Sequence, residues 1–217
     1  MGFPKALLRY RDETFLDTLI GLFAARCQPV IVVLGAHSEH IRERTLPPAT
    51  FAINADYQRG QTSSMQCGLR AVPADAEGVL FTLVDHPAVA PATLDALLAG
   101  PGPRDSVLPQ THSLTGCPQG RAQIGAPTGC PLGLEGLPPT AQRHLVRVPR
   151  HQGRRGHPIW FSRDIIAEFL GLPKDGAARD IVRSHAAQTE FLDLDDAGIL
   201  ADIDDAAAYG RLTGAPS

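Results

Sequence analysis

Two sets of acidic residues, far apart in the chain, are placed to work on phosphate. Asp85 closes the apolar run Val79–Val84, which is broken only by Thr82, and is followed at once by His86 and Pro87. A β-rich run without polar alternation reads as a central strand buried on both faces, and Pro87 cannot extend it. That puts a carboxylate at the carboxyl end of a strand, where open α/β sheets bind ligands; a solvated Asp opening a turn is the plainer reading. Asp202 and Asp204 flank Ile203 in LADIDDA and fall on one face of an extended segment, with Asp193, Asp195 and Asp196 nearby. Carboxylates converging from two such segments would form a Mg²⁺ site. Capping of the following helix by Asp204 or Asp205 is compatible with that role.

Cationic and hydroxyl groups supply the other half of a phosphate chemistry. The segment RHQGRRGHP at 150–158 sets Arg150, Arg154, Arg155, His151 and His157 around Gly153 and Gly156. It is either a bidentate phosphate clamp or a solvated basic turn. Lys5 is one of two lysines in a chain with 18 arginines. It is either a point charge kept for phosphate or an exposed terminal side chain. Ser63 and Ser64 open a helical pattern after the polar loop NADYQRGQTSS, where anion binding and ordinary capping are both open. His37 and His40 share a helix face with no third ligand close by, so they read as a surface pair. Neither GxGxxG nor a Walker A pattern occurs, which argues against dinucleotide dehydrogenases and P-loop NTPases.

The elements that must carry these residues alternate. Helical periodicity predicts helices over 14–27, 37–45, 63–72, 91–99, 163–170, 177–186 and 204–212. Strand patterns cover 29–35, 50–53, 79–84, 145–149, 157–161 and 189–194. Strands and helices at these intervals imply βαβ units and an α/β domain with a mostly parallel sheet. The order breaks at 101–143, where eight Pro and seven Gly in 43 residues show no sustained period. This stretch is expected to be a disordered or irregular insertion.

The 217 residues suffice for one such domain, and 43% hydrophobic with 20% charged content is ordinary for a globular protein. A net charge of −3 gives no case for nucleic-acid or membrane binding, and no apolar run is long enough to span a bilayer. Cys27, Cys67, Cys117 and Cys130 show no CxxC spacing and are expected to be reduced thiols of a cytoplasmic protein.

Taken in order, MGFPK at 1–5, N-x-x-Y-x-x-G-x-x-S-S at 54–64, VDHP at 84–87, GRRGHP at 153–158, DGAAR at 175–179 and DID at 202–204 resemble the MobA-like nucleotidyltransferases. Within that family the resemblance is to the molybdenum cofactor cytidylyltransferases. It implies a three-layer Rossmann-like fold, a single domain over 1–217, and transfer of CMP from CTP to a phosphorylated pterin with release of pyrophosphate. It further implies Asp85 with Asp202 or Asp204 as Mg²⁺ ligands, and Lys5 beside Asp85 as the catalytic charge. Lys5, Asn54, Gly60, Ser63 and Ser64 would face the nucleotide, and Arg154, Arg155, Gly156, His157 and Arg179 the acceptor. A molybdoenzyme or its maturation factor is the protein partner such an enzyme implies. The family opens with a strand and a glycine-rich phosphate loop, and this chain begins at the Met-Gly of that loop. It is therefore expected to lack most of the cradle and to bind nucleotide weakly. Another NTP with a sugar phosphate, or a non-catalytic cofactor-binding chaperone, are the competing expectations.

Overall fold

Phe15, Leu16, Leu19, Ile20 and Phe23 recur at helical spacing and become the buried stripe of the first helix, α1 (Phe15–Ala24), capped by the Thr14 hydroxyl on the Asp17 amide. The computed structural model describes residues 4–99, 144–173 and 176–214. The expected insertion at 101–143 lies outside them.

A short hairpin, β1 (Arg9–Tyr10) with β2 (Glu13–Thr14), precedes α1. Then follow β3 (Ile31–Leu34), α2 (Ser38–Arg42), β4 (Thr50–Ile53), α3 (Gln61–Arg70), β5 (Gly78–Phe81) and α4 (Pro91–Leu98). Further along the chain come β6 (Val146–His151), β7 (Arg154–Arg155), β8 (Ile159–Ser162), α5 (Ile166–Leu170), α6 (Ala178–Ser184), β9 (Thr189–Asp193) and α7 (Ala206–Thr213). Among the described residues no helix is long and apolar enough to cross a membrane.

The architecture is the expected α/β class. β3 and β4 form a two-stranded parallel sheet, and β5, β8, β6, β7 and β9 a mixed five-stranded one in which β6 pairs β9 in parallel. β8 lies antiparallel between β5 and β6, and β7 folds back on β6 through the two-residue turn Gln152–Gly153. Met65 and Leu69 of α3 pack with Val146, Val148, Phe161 and Phe169 in the largest buried cluster. Leu19 and Phe23 of α1 meet Leu94 of α4 in another.

Three local expectations change. β5 ends at Phe81, three residues short of Val84, and is only half buried along its length. The reason is its pairing: among the described residues it bonds to β8 alone. It also borders an apolar cavity of about 380 Å³, lined by Ile31–Val33 of β3 and by Leu16, Met65 and Leu69. Two strand edges, of β3 and of β5, thus flank one cavity. α3 begins at Gln61 with Gly60 (φ 92°) in the cap position, so neither Ser63 nor Ser64 caps it. His37 likewise is no helical residue but sits before α2 in the left-handed region.

Candidate active site

Asp85 is carried past the end of β5 by Thr82–Val84 and held by its own backbone. The Ile203 amide donates to the Asp85 carbonyl at 3.2 Å. Ile203 itself is buried against Phe15 and Ala208, so its neighbours Asp202 and Asp204 must both face away from that cluster, towards Asp85. The alternation read from LADIDDA is thereby put to use.

The two acids divide. Asp204 Oδ1 receives Lys5 Nζ at 2.6 Å, while Asp85 Oδ2 lies 3.8 Å from the same ammonium. Asp202 instead joins Asp85 and His86, one ligand atom from each lying within 4.8 Å of the others. Capping of α7 falls to Asp205, whose carboxylate accepts the Ala208 amide at 2.6 Å. Burial alone would lower the Lys5 pKa, but the hydrogen bond to Asp204 and the charges of Asp204, Asp85 and Asp202 outweigh it and hold it above the usual lysine value. The same hydrogen bond pulls Asp204 down. Asp202 is pushed up by burial and by the neighbouring charges of Asp85 and Asp204. Such mutual strain between carboxylates is what a cation relieves. Asp85 Oδ1 is buried with no hydrogen-bond partner, so the donor set fits a divalent cation.

His86 was not singled out from the sequence, where it reads only as the middle of VDHP. It is 6% exposed, and its ring meets that of His157 in a tilted contact, 5.0 Å between centroids. Burial keeps His86 below the ordinary histidine pKa. Burial and the neighbouring His86 bring His157 to about 4. Both rings are therefore neutral near pH 7.

His157 also lines a second cavity, of about 580 Å³. Its floor is apolar, with Val148, Phe161, Phe169 and Phe191, while Arg155, Arg179 and Arg183 stand on its wall. Arg155 lies 4.7 Å over the Phe191 ring. Gly156 is required here, because a Cβ at that position would collide with the Ile199 carbonyl. Its neighbour His157 donates its amide to that same carbonyl. Arg154 is exposed on the outer edge of β7 and is not among the residues lining the cavity. Nor does Arg150 join a three-arginine clamp: its guanidinium is held by Asp193 at 2.6 and 3.0 Å, the residue opposite it in the β6–β9 register.

Asn54, Ser63 and Ser64 form their own network. The Asn54 amide donates to Ser63 Oγ at 2.9 Å and to Ser64 Oγ at 3.1 Å, and Ser63 Oγ donates to the Gly60 carbonyl. Asn54 and Ser63 are buried, so they fix the loop around Gly60 to α3; Ser64 borders the cavity between β3 and β5. Asp196, grouped in the sequence with loose acidic residues, is instead a clamp. It accepts the Ala90 amide, the Thr93 hydroxyl and the Gly198 amide, at 2.9, 2.6 and 2.8 Å.

Solved structures share this fold. The chain is similar to Rv0371c from Mycobacterium tuberculosis H37Rv, with 24% identity over 99% of this chain and 90% of that one and a TM-score of 0.68. A structure of Rv0371c in complex with manganese aligns with a TM-score of 0.66. 2-C-methyl-D-erythritol 4-phosphate cytidylyltransferase from Thermus thermophilus aligns at 15% identity, over 97% and 93% of the two chains, with a TM-score of 0.57. Molybdopterin-guanine dinucleotide biosynthesis protein A from Archaeoglobus fulgidus aligns at 10% identity, over 98% and 90%, with a TM-score of 0.53. No curated protein matches the sequence. The family model of the MobA-like NTP transferase domain matches residues 1–124, more than half of the chain. The chain belongs to the MobA-like NTP transferase family.

Proposed function

We propose that this protein transfers CMP from CTP to the terminal phosphate of a molybdopterin-type acceptor, releasing pyrophosphate, in the cytoplasm. The observation that carries the reading is the junction at His157. Its ring contacts that of His86 in the acidic cluster, and the residue also lines the 580 Å³ cavity with its arginine wall. A cation-binding cluster thus adjoins a cavity suited to a flat, partly apolar body bearing an anion. The apolar floor would take the ring system, and Arg155 and Arg179 the phosphate.

A divalent cation at Asp85 and Asp202 would neutralise charge on the reacting phosphates, and Mg²⁺ is the ion that two carboxylates by themselves favour. The residues do the rest by position. Lys5, charged at neutral pH, is free to leave exposed Asp204 for the triphosphate. Asn54 and Ser63 hold the loop before α3, so Gly60 can present its backbone to the nucleotide. His86 and His157, neutral, exclude water behind Asp85 without adding competing charge. No side-chain nucleophile is needed, since the acceptor phosphate supplies the attacking oxygen.

The test is a matrix of CTP, GTP, ATP and UTP against molybdenum cofactor or methylerythritol phosphate, with release of pyrophosphate measured. CTP-dependent release with the pterin alone supports the reading. Release with another pair assigns the same chemistry to a different substrate. Pterin binding with no release in any pair leaves a cofactor-holding protein and refutes the transfer. Co-purification of a molybdoenzyme or its maturation factor from a native host would identify the protein that receives the product.

A further inference from the structure

We propose that Asp85, His86 and Asp202 form a mixed oxygen–nitrogen metal site that takes Mn²⁺ in preference to Mg²⁺. This rests on the divalent-cation reading of the site and adds a ligand that changes which ion it selects. The three side chains each offer one ligand atom, and these atoms lie within 4.8 Å of one another. The His86 side chain is 7% exposed and its Nε2 stands 3.8 Å from Asp85 Oδ1. That distance is too long for a hydrogen bond.

Most buried polar side-chain atoms of a folded protein find a hydrogen-bond partner. Here Nδ1 is buried and unpartnered, and Asp85 Oδ1, which faces the other ring nitrogen Nε2, is buried and unpartnered too. The tilted ring contact with His157 gives that oxygen no donor.

Donor chemistry then decides the ion. Mg²⁺ takes oxygen ligands in a near-ideal octahedron and sheds water reluctantly, so an imidazole adds little to its binding. Mn²⁺ suits the same carboxylate and water oxygens as Mg²⁺, and as a first-row transition ion it accepts an imidazole nitrogen more readily. Two carboxylates would leave Mg²⁺ competitive, and the added nitrogen tips the site towards Mn²⁺.

The experiment uses the whole chain without nucleotide, titrated with Mn²⁺ followed by electron paramagnetic resonance and with Mg²⁺ as competitor. Mn²⁺ is expected to bind at least about tenfold more tightly than Mg²⁺. Bound Mn²⁺ should show ¹⁴N coupling in pulsed spectra. That coupling should vanish in His86→Gln and persist in His157→Gln, with circular dichroism confirming that each variant folds. His86→Gln should weaken Mn²⁺ binding by at least about tenfold and Mg²⁺ binding far less. Bound Mn²⁺ without ¹⁴N coupling in the wild type overturns the proposal while leaving the transferase reading intact, and needs no variant. Coupling lost only in His157→Gln, or equal affinity for the two ions, overturns it as well. Binding of neither ion would remove the divalent-cation site altogether.

Discussion

Replacing Asp196 with Ala removes the clamp between the 88–93 segment and the stretch that carries Asp202. Three donors lose a charged acceptor: the amides of Ala90 and Gly198 and the hydroxyl of Thr93, a residue 2% exposed. Hydrogen bonds to charged groups contribute about 1.5–3 kcal/mol each, and the three share one side chain, so a sum near the low end is appropriate: about 3–5 kcal/mol. Against a usual total of about 5–15 kcal/mol this is a large fraction. Asp196→Asn is the internal control. Its one carbonyl can serve Ala90 and Thr93, but its amino group then faces the Gly198 amide, donor against donor. About half of the loss should remain. Urea unfolding with a common slope reads both values. The clamp also positions Asp202, since Ile199 is fully buried and Ile203 bonds to Asp85 downstream of it. Mn²⁺ affinity at pH 7 should therefore fall along with stability. A loss below about 1 kcal/mol for Asp196→Ala, or unchanged metal affinity, would refute the idea that this clamp aligns the two carboxylates.

Asp85→Asn keeps the shape and removes the charge, and transfer should drop at least about 100-fold with an unchanged unfolding midpoint; near-native rates would remove Asp85 from the mechanism. Gly156→Ala drives a methyl against the Ile199 carbonyl and should cost about 1–3 kcal/mol in thermal unfolding; no loss would mean that the glycine is not required there. His185 donates to Glu168 at 2.9 Å, which raises its pKa above the histidine norm. The folded form holds that proton more tightly, so the stabilisation is full below about pH 6.5 and disappears as pH rises through the folded value. The pair is partly exposed and should contribute only about 0.5 kcal/mol. Unfolding of wild type and Glu168→Gln should differ at pH 5.5 and coincide at pH 9, and a difference that grows with pH would contradict the assignment.

Periodicity placed most elements well because it reports what local sequence controls. The α1 stripe and the β4 boundaries, Thr50–Ile53, follow directly from spacing. What escaped was decided by distant partners. β5 stops early because its ladder depends on β8 from the other half of the chain. Arg150 looked like part of a phosphate clamp until the parallel register set Asp193 opposite it. Alternation could put Asp202 and Asp204 on one face, but only the arrival of Lys5 separates their roles. For His86 the sequence held no signal beyond its position after Asp85, since burial of a histidine depends on what packs around it. Asp196 shows the converse, an acidic residue whose purpose is three hydrogen bonds.

The cavity between β3 and β5 has a consequence for small apolar solutes. At about 380 Å³ it is more than twice the volume of engineered apolar cavities of about 150 Å³ that admit benzene or xenon. It opens to solvent, so such a solute can enter without the chain parting. Benzene or xenon, settling against Leu16, Met65 and Leu69, binds the folded chain alone and should raise its thermal unfolding midpoint.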